Sequence, residues 1–361
     1  MNEDILLRLR VRETHGIRRF LYPLRVGVNL PVALFIGNIR PALRLTQDDG
    51  AALPWQIEFT RGLIYLEFAV SLAPLAEQTL ILTEGDTLLA LDDPLQVTQT
   101  EEGGLRNQQK RFALSVTADG ALADVVYDGI AHLQEPSAIT RNGEAAREQS
   151  MTSSYGQNVP LKASLTAMGY DKDRCGCRTV VCITAVKSWA TVTHTLDAPK
   201  PNDEIVFTLP FAAMSPTLTC DFGVGGGLYA KLQAGTADTI VWRTEFMEND
   251  AVQWSIATNG RMDYAGIVDT LRLYHMQQWF HIIDSDKALA VAMTQVPLCC
   301  RTMTVTLNVS GNVEIAFVLS DPISEPAEFG VCYHFLNDVP AIAAATNPQS
   351  ILLPPIVDVL P

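Results

Sequence analysis

Alternation of apolar and polar residues runs through most of this chain and restricts it to β-structure. Segments such as ILLRLRV and LIYLEFAV near the start alternate in this way, and so does MTVTLNVSGNVEIAFVLS further on. Successive side chains of a strand point to opposite faces of a sheet, so this period favours strands with one buried face. The best helix candidate is the short, proline-bounded VPAIAAATNPQ near the C-terminus. The sequence therefore predicts an all-β fold.

The length of 361 residues is enough for two hydrophobic cores. Short strands separated by turn signals such as QDDG and TRG predict a small N-terminal β-barrel or sandwich over residues 1–92. Longer strands predict a large antiparallel, supersandwich-like β-sandwich over residues 93–340. Residues 341–361 form a proline-rich tail, and its apolar end ILLPPIVDVLP should pack in an extended form on a neighbouring surface. That surface could belong to another subunit, in which case the tail would hold a homo-oligomer together.

Charge and hydropathy narrow the range of partners. The chain has 26 basic and 40 acidic residues, a formal net charge of -14, which argues against nucleic acids and anionic membrane surfaces. The N-terminus lacks the basic and apolar regions of a secretory signal, and no window reaches the roughly 18 apolar residues of a membrane span. We therefore expect a soluble, cytoplasmic protein.

Cysteine and glycine patterns give no indication of a cofactor. The seven cysteines are an odd number, unlike the disulfide framework of a small secreted domain. Cys175 and Cys177 are closer together than the paired cysteines of most zinc sites, and a turn bearing two thiols is the alternative. The glycine-rich DFGVGGGLY is not followed by a helix-forming sequence, as a phosphate-binding loop would be. We predict neither a metal nor an organic cofactor.

Residues 254–287 concentrate most of the chemically useful side chains. If TLRLYHMQQWFHIID is one continuous strand, His275, Gln277, Trp279 and His281 share one of its faces. A face that only packs against another sheet usually carries Val, Ile or Leu. The pattern indicates either a binding groove, or histidines that end the strand or are satisfied inside a large core.

Two neighbouring segments could complete such a groove. NGRMDYAG has the composition of a loop and holds Arg261, Asp263 and Tyr264, which are either functional residues on a rigid scaffold or a polar solvated turn. In DTIVWRTEF, Arg243 and Glu245 share a strand face and form either an ordinary ion-pair surface or a charged groove wall.

The first third of the chain resembles a known family. LRLTQDDGAALPWQIEF, LIYLEFAVSLAPLAEQTLILT and RFALSVTADGALADVVYDG follow one another as in YetA-like and exo-rhamnogalacturonan-lyase proteins. The resemblance implies an N-terminal barrel-like module followed by a galactose-mutarotase-like supersandwich, and it implies sugar chemistry. It transfers no catalytic residue to this chain.

Together these features predict a carbohydrate-active enzyme, a glycoside hydrolase or a polysaccharide lyase, with a saccharide in a groove of the large sandwich. The predicted catalytic residues are His275, His281, Tyr264 and Asp263, which suit proton transfer. The predicted substrate-binding residues are Trp254, Trp279, Arg261, Arg243, Glu245 and Gln277, which suit stacking and hydroxyl recognition. The alternative is a non-catalytic saccharide-binding or structural β-sandwich subunit of a larger assembly.

Overall fold

The computed structural model describes residues 5–31, 42–60, 62–85, 91–146, 149–155, 161–212, 217–225, 228–235, 238–247, 251–269, 278–284, 287–308, 311–320, 325–337 and 346–360. Within these ranges the chain forms antiparallel β-sheets and one short helix, so the predicted all-β fold is confirmed. That helix is too short to cross a membrane, and the described part of the chain contains no other.

The N-terminal part consists of two small sheets packed face to face. Its strands are β1 (Ile5–Arg12), β2 (Arg19–Val28), β3 (Leu43–Gln47), β4 (Trp55–Thr60), β5 (Leu63–Leu72) and β6 (Glu77–Glu84). In the described residues β1, β6 and β3 are neighbours in one sheet, and β2, β5 and β4 form the other. Leu9, Leu45, Phe68 and Leu82 pack between them in a buried core. The two sheets remain separate, which matches the sandwich alternative of the predicted N-terminal fold.

A five-stranded meander follows. It contains β7 (Val97–Gln99), β8 (Leu105–Gln108), β9 (Phe112–Val116), β10 (Leu122–Tyr127) and β11 (Ile130–Ala131). The hairpin expected around ADG joins β9 to β10, and Gly120 has the positive φ of 87° that its turn requires. Phe112 and Leu114 from this sheet join the core of the large sandwich. The meander therefore packs against the sandwich that follows it.

The large sandwich has two long antiparallel sheets. Its strands are β12 (Ala138–Arg141), β13 (Glu144–Ala145), β14 (Gln149–Tyr155), β15 (Lys162–Tyr170), β16 (Gly176–Thr184), β17 (Lys187–Leu196), β18 (Glu204–Pro210), β19 (Thr217–Gly225), β20 (Leu228–Gly235), β21 (Thr239–Phe246), β22 (Ala251–Thr258), β23 (Arg261–Asp269), β24 (Trp279–Asp284), β25 (Lys287–Gln295), β26 (Cys300–Asn308), β27 (Asn312–Leu319) and β28 (Ala327–Asn337).

Strand order determines which side chains of the sandwich meet. In the described residues the eight-stranded sheet runs β13-β12-β18-β27-β26-β21-β22-β23, and the nine-stranded sheet runs β14-β15-β16-β17-β28-β25-β24-β19-β20. Trp242 of the first sheet contacts Phe222 of the second, with ring centroids 5.7 Å apart. Phe280 and Phe329 of the nine-stranded sheet also belong to the core. Because side chains alternate along a strand, their neighbours in sequence lie on the outer face of that sheet.

The C-terminal segment returns to the N-terminal part. Helix α1 (Thr346–Leu352) packs on β24, β25 and β28, and β29 (Ile356–Leu360) pairs antiparallel with β1. The helix TNPQSIL includes the last residues of the helix candidate VPAIAAATNPQ, and the chain beyond it continues as the extended strand β29. The surfaces that this segment contacts here belong to its own chain.

Candidate functional site

Two of the predicted site residues lie side by side on the outer face of the nine-stranded sheet. Phe280 and Ile282 of β24 point into the sandwich core, so Trp279 and His281 point away from it. Both side chains are fully buried. His275 and Gln277, which were expected on the same face, lie outside the described residues.

His281 belongs to a row of side chains that crosses five strands. Asp221 pairs with His281, His281 with Ala290, Ala290 with His334, and His334 with Trp189. Residues directly opposite one another in a sheet share a face, so these five side chains lie next to each other. The rings of Trp189 and His334 are 5.6 Å apart. Burial, with Lys187 and His281 nearby, lowers the pKa of His334 well below 6.5, so this imidazole is neutral at pH 7.

The outer face at this row is packed rather than open. Ala288, Ala290 and Ala292 are all buried along β25, and α1 packs on β25 and its two neighbours. Ile351 of α1 joins the core that contains Trp189. The small alanine side chains of β25 allow α1 to pack closely on the sheet.

The remaining predicted residues lie in the eight-stranded sheet. Arg261, Asp263 and Tyr264 are exposed on β23, which ends the described order of that sheet. The expectation that NGRMDYAG is a loop is wrong. Asn259 and Gly260, with φ of 50° and 77°, form the whole turn, as the preference of Asn-Gly for two-residue hairpins explains.

Trp254, Arg243 and Glu245 lie on different faces of the same sheet. The Trp254 side chain packs in the sandwich core, and its ring covers Gly266, where a Cβ atom would lie 2.8 Å from Cζ2. Arg243 and Glu245 form an ion pair at 2.6 Å, with side chains 54% and 41% exposed. The structure therefore brings together Trp279 with His281, and Arg243 with Glu245, but these two pairs and Trp254 do not converge on one groove.

A pocket of about 550 Å³ lies where the N-terminal sheets, the meander and the β16–β17 turn meet. Its lining residues are Leu21, Gln47, Ala52, Leu53, Pro54, Ser71, Leu91, Asp92, Asp93, Gln109, Arg111, Phe112, Tyr127, Ala185, Val186, Lys187 and Ser188. This volume is within the usual range of small-molecule sites, about 300–1,000 Å³. The N-terminal sheets, the meander and the β16–β17 turn thus contribute to one concave surface.

Hydrogen bonds fix one wall of this pocket. Gln109 Nε2 donates to the carbonyl oxygens of Asp93 at 2.6 Å and Ala185 at 2.9 Å, which ties the meander to the sandwich. The Asp93 carboxylate accepts the backbone N–H of Lys110 at 3.0 Å. Arg111 is paired with Asp128, and its guanidinium lies 5.4 Å from the ring centroid of Tyr127. The wall is therefore preorganised before any ligand binds.

The rim near Leu21 has an unusual backbone. The pairing of β2 with β5 shifts register between Arg19 and Tyr22, and Leu21 adopts a positive φ of 42°. The Leu21 N–H donates to Ser71 Oγ at 2.9 Å. Few residues other than glycine occupy this region, and bulges of this kind often lie beside functional sites, where they redirect a side chain.

Lys187 also lines the pocket. Unlike Arg111, it forms no ion pair with any carboxylate of the described residues. Its ammonium lies 6.0 Å from the ring centroid of Trp189. Burial and, to a smaller extent, the nearby Arg19 cation together lower the pKa of Lys187 to about 8. The side chain is therefore still mostly charged at neutral pH. Lys187 has no distinctive sequence signal, because in AVKSW it is one more residue of an alternating strand.

No metal centre is indicated by the described side chains. Cys175 and Cys177 are buried in the sandwich core as reduced thiols. Groups of three or more His, Cys, Asp or Glu placed to hold an ion do not occur in the described part of the chain.

Comparison with solved structures finds the same fold in larger proteins. A glycosyl hydrolase family 38 protein from Enterococcus faecalis has a TM-score of 0.59 and 11% identity, over 99% of this chain and 47% of that one. An alpha-mannosidase from the same species has a TM-score of 0.57 and 11% identity, over 98% and 46%. This chain thus spans about half the length of either. No protein-family model matches it, and neither does any curated protein. The YetA-like and mutarotase-like resemblance stays a prediction.

Proposed function

We propose that this chain is a saccharide-binding β-sandwich protein that holds a sugar in the pocket beside Lys187. The observation that carries the proposal is the composition of that pocket: an aromatic ring, an amide, a hydroxyl and charged groups converge there from three parts of the chain. Sugar sites combine apolar surface with a few well-placed polar groups in this way. The fold shared with two glycosidase structures supports the assignment to carbohydrate metabolism.

Several polar groups of the pocket are available to a ligand. In the described residues, the Tyr127 hydroxyl and the Gln47 amide have no hydrogen-bond partner, and Asp92 is exposed at the rim. Gln109 and Arg111 are already engaged with protein groups and act as a scaffold. A bound sugar would exchange water for these free donors and acceptors and cover the partly exposed Tyr127 ring.

Filling the pocket should weaken this binding. Ala52 lines the pocket, whereas its neighbour Ala51 is exposed and does not. We expect Ala52→Trp to weaken saccharide binding at least about tenfold, which corresponds to about 1.4 kcal/mol, because the indole would occupy the space of the sugar. Titration calorimetry against a panel of neutral and acidic saccharides measures this effect. Ala51→Trp is the matched control and should bind like the wild type. Equal affinities of the two variants would contradict the pocket assignment.

A second candidate function is catalysis, as a glycoside hydrolase or polysaccharide lyase. Asp221 directly opposite His281 favours it, since a carboxylate beside an imidazole is a common acid–base arrangement. In this candidate His281 would transfer the proton; of the other predicted residues, Tyr264 and Asp263 lie on the other sheet and His275 lies outside the described residues. A hydrolase would also need two carboxylates about 5–10 Å apart.

The catalytic candidate predicts a large effect of His281→Gln. If His281 transfers a proton, we expect this variant to lose about 10²–10⁴ of the rate. Release of reducing ends reports hydrolysis, and ultraviolet absorbance of an unsaturated product reports elimination. The exposed His15 offers a control, since His15→Gln should leave the rate unchanged. A wild-type protein that binds saccharides but gives no product in either assay would rule out this candidate and leave the binding proposal intact.

A further inference from the structure

We propose that the pocket selects a ligand with a negatively charged group, a carboxylate, sulfate or phosphate, which contacts the Lys187 ammonium. This inference rests on the proposed function for the saccharide part of the ligand, but the anion site itself does not depend on it. Lys187 begins β17 immediately after the turn that closes one side of the pocket.

Lys187 differs from Lys162, a nearby lysine on the same sheet, in the carboxylates that surround it. Lys162 Nζ is held by Glu67 at 2.7 Å and Glu58 at 3.7 Å. Lys187 is also half-buried, yet none of the described carboxylates forms an ion pair with it. A cation withdrawn from water without a counter-charge is costly, and an anionic ligand would remove that cost.

The titratable groups that face Lys187 from the protein interior carry no negative charge. Arg19 of β2 and His334 of β28 face it from the inner side, and Arg19 is the charge that depresses its pKa. Arg19 is committed to Glu13, and His334 is neutral, so neither supplies an anion. The described groups on this side therefore give the ammonium no counter-charge, although the chain as a whole has a net charge of -14.

The charged groups on the pocket side do not neutralise Lys187 either. Arg111 is paired with Asp128, and the Asp93 carboxylate is bound to backbone N–H groups at 3.0 Å and 3.4 Å. Tyr127 has a raised pKa because of burial, so its hydroxyl is neutral. Asp92 is exposed and is absent from the charges that act on Lys187. A ligand could therefore place its anion at Lys187 and its hydroxyls towards Asp92, Gln47 and Tyr127.

This arrangement predicts a pH dependence with a definite sign. Because the pKa of Lys187 is about 8, the ammonium is charged below that pH and becomes a neutral amine above it. Preference for an anionic ligand should be present at neutral pH and disappear as the pH rises through the pKa. Bound anion favours the charged form and should raise the pKa of Lys187 in the complex.

The test compares matched probes on three variants. Glucose, glucuronate and glucose 6-phosphate differ in charge on a common ring, and inorganic phosphate and sulfate report the anion site alone. We expect the wild type to bind the acidic sugars at least about tenfold more tightly than glucose, and Lys187→Gln to lose this preference. Lys187→Arg keeps the charge and should retain most of it. Lys110→Gln removes an exposed lysine outside the pocket and should behave like the wild type.

Three outcomes distinguish the inference from the proposed function. Sugar binding without any preference for acidic probes, or a preference that survives Lys187→Gln, would refute the anion site and leave the saccharide proposal standing. Binding of phosphate or sulfate that depends on Lys187, without binding of any sugar, would support the anion site and contradict the saccharide proposal. NMR titration of ¹³C-methylated Lys187 gives its pKa directly, and an unchanged value with saturating acidic sugar would also overturn the inference.

Discussion

Replacement of Arg19 by methionine is expected to lower the free energy of unfolding by about 3–5 kcal/mol, the usual cost of breaking a buried ion pair. The side chains of Arg19 and Glu13 are both 0% exposed, with Nη2 and Oε1 3.0 Å apart. Arg19 also donates to the carbonyl oxygen of Ser350 at 2.9 Å and to that of Leu353. Methionine fills similar space but leaves the buried Glu13 carboxylate without its counter-charge and two carbonyl groups without this donor. Urea unfolding measures the loss.

The pH dependence of the same variant gives a second measurement. Burial on its own would raise the pKa of Glu13, but the backbone N–H of Leu75, Arg19 and the backbone N–H of His15 outweigh it, so the pKa lies below 4.5. A lowered carboxyl pKa stabilises the fold above the unfolded value, and this contribution is lost as the pH falls through the folded value. Without Arg19 the pKa of Glu13 rises, so acid unfolding of Arg19→Met should begin at a higher pH.

Arg12→Met is the matched control for the Arg19 variant. Arg12 also connects the N-terminal part to the C-terminal segment, through Asp358, but these side chains are 38% and 32% exposed. Such pairs contribute about 0–1 kcal/mol, so we expect a correspondingly small change. Equal losses in the two variants would contradict the role of Arg19. Because the Arg19 cation depresses the pKa of Lys187, Arg19→Met should also raise that pKa.

The contact between the N-terminal part and the C-terminal segment shows which part of the fold could be predicted from sequence. Alternation is a property of neighbouring residues, and it identified most strands and the all-β class. The pairing of β29 with β1 joins residues as distant as Arg12 and Asp358, which are 346 positions apart. Such a pairing depends on the path of the whole chain. The local sequence therefore predicts a tail that packs on some surface but does not identify that surface.

The candidate sites show the same limit. Parity placed Trp279 and His281 on one face, because that relation lies within one strand. Their lateral neighbours Asp221 and His334 are set by the strand order of the nine-stranded sheet, which no local pattern encodes. The pocket is even harder to predict from sequence, because Leu21, Gln109 and Lys187 come from three separate parts of the chain.

Replacement of Arg141 by methionine is expected to lower the free energy of unfolding by about 3–5 kcal/mol, as much as replacement of Arg19. The Arg141 side chain is 4% exposed and bonds both Asp171 and Asp203, the latter at 2.6 Å. Methionine would leave two buried carboxylates next to each other. Arg111→Met is the control, because the Arg111 and Asp128 side chains are 65% and 34% exposed, and its urea midpoint should shift little.

A pH series separates charge from packing at Arg141. Burial alone would raise the pKa of Asp203, but hydrogen bonds from Arg141, Lys200 N–H and Asn142 hold it below 3.8. The stabilisation that Asp203 provides is thus lost from the wild type as the pH falls through this lowered value, whereas Arg141→Met already lacks its partner. The stability difference between the two proteins should therefore shrink in acid. Adding Asp171→Asn and Asp203→Asn to Arg141→Met should recover stability at neutral pH, because no uncompensated charge remains. A difference that is constant with pH, with no recovery in the triple variant, would mean that Arg141 acts through packing alone.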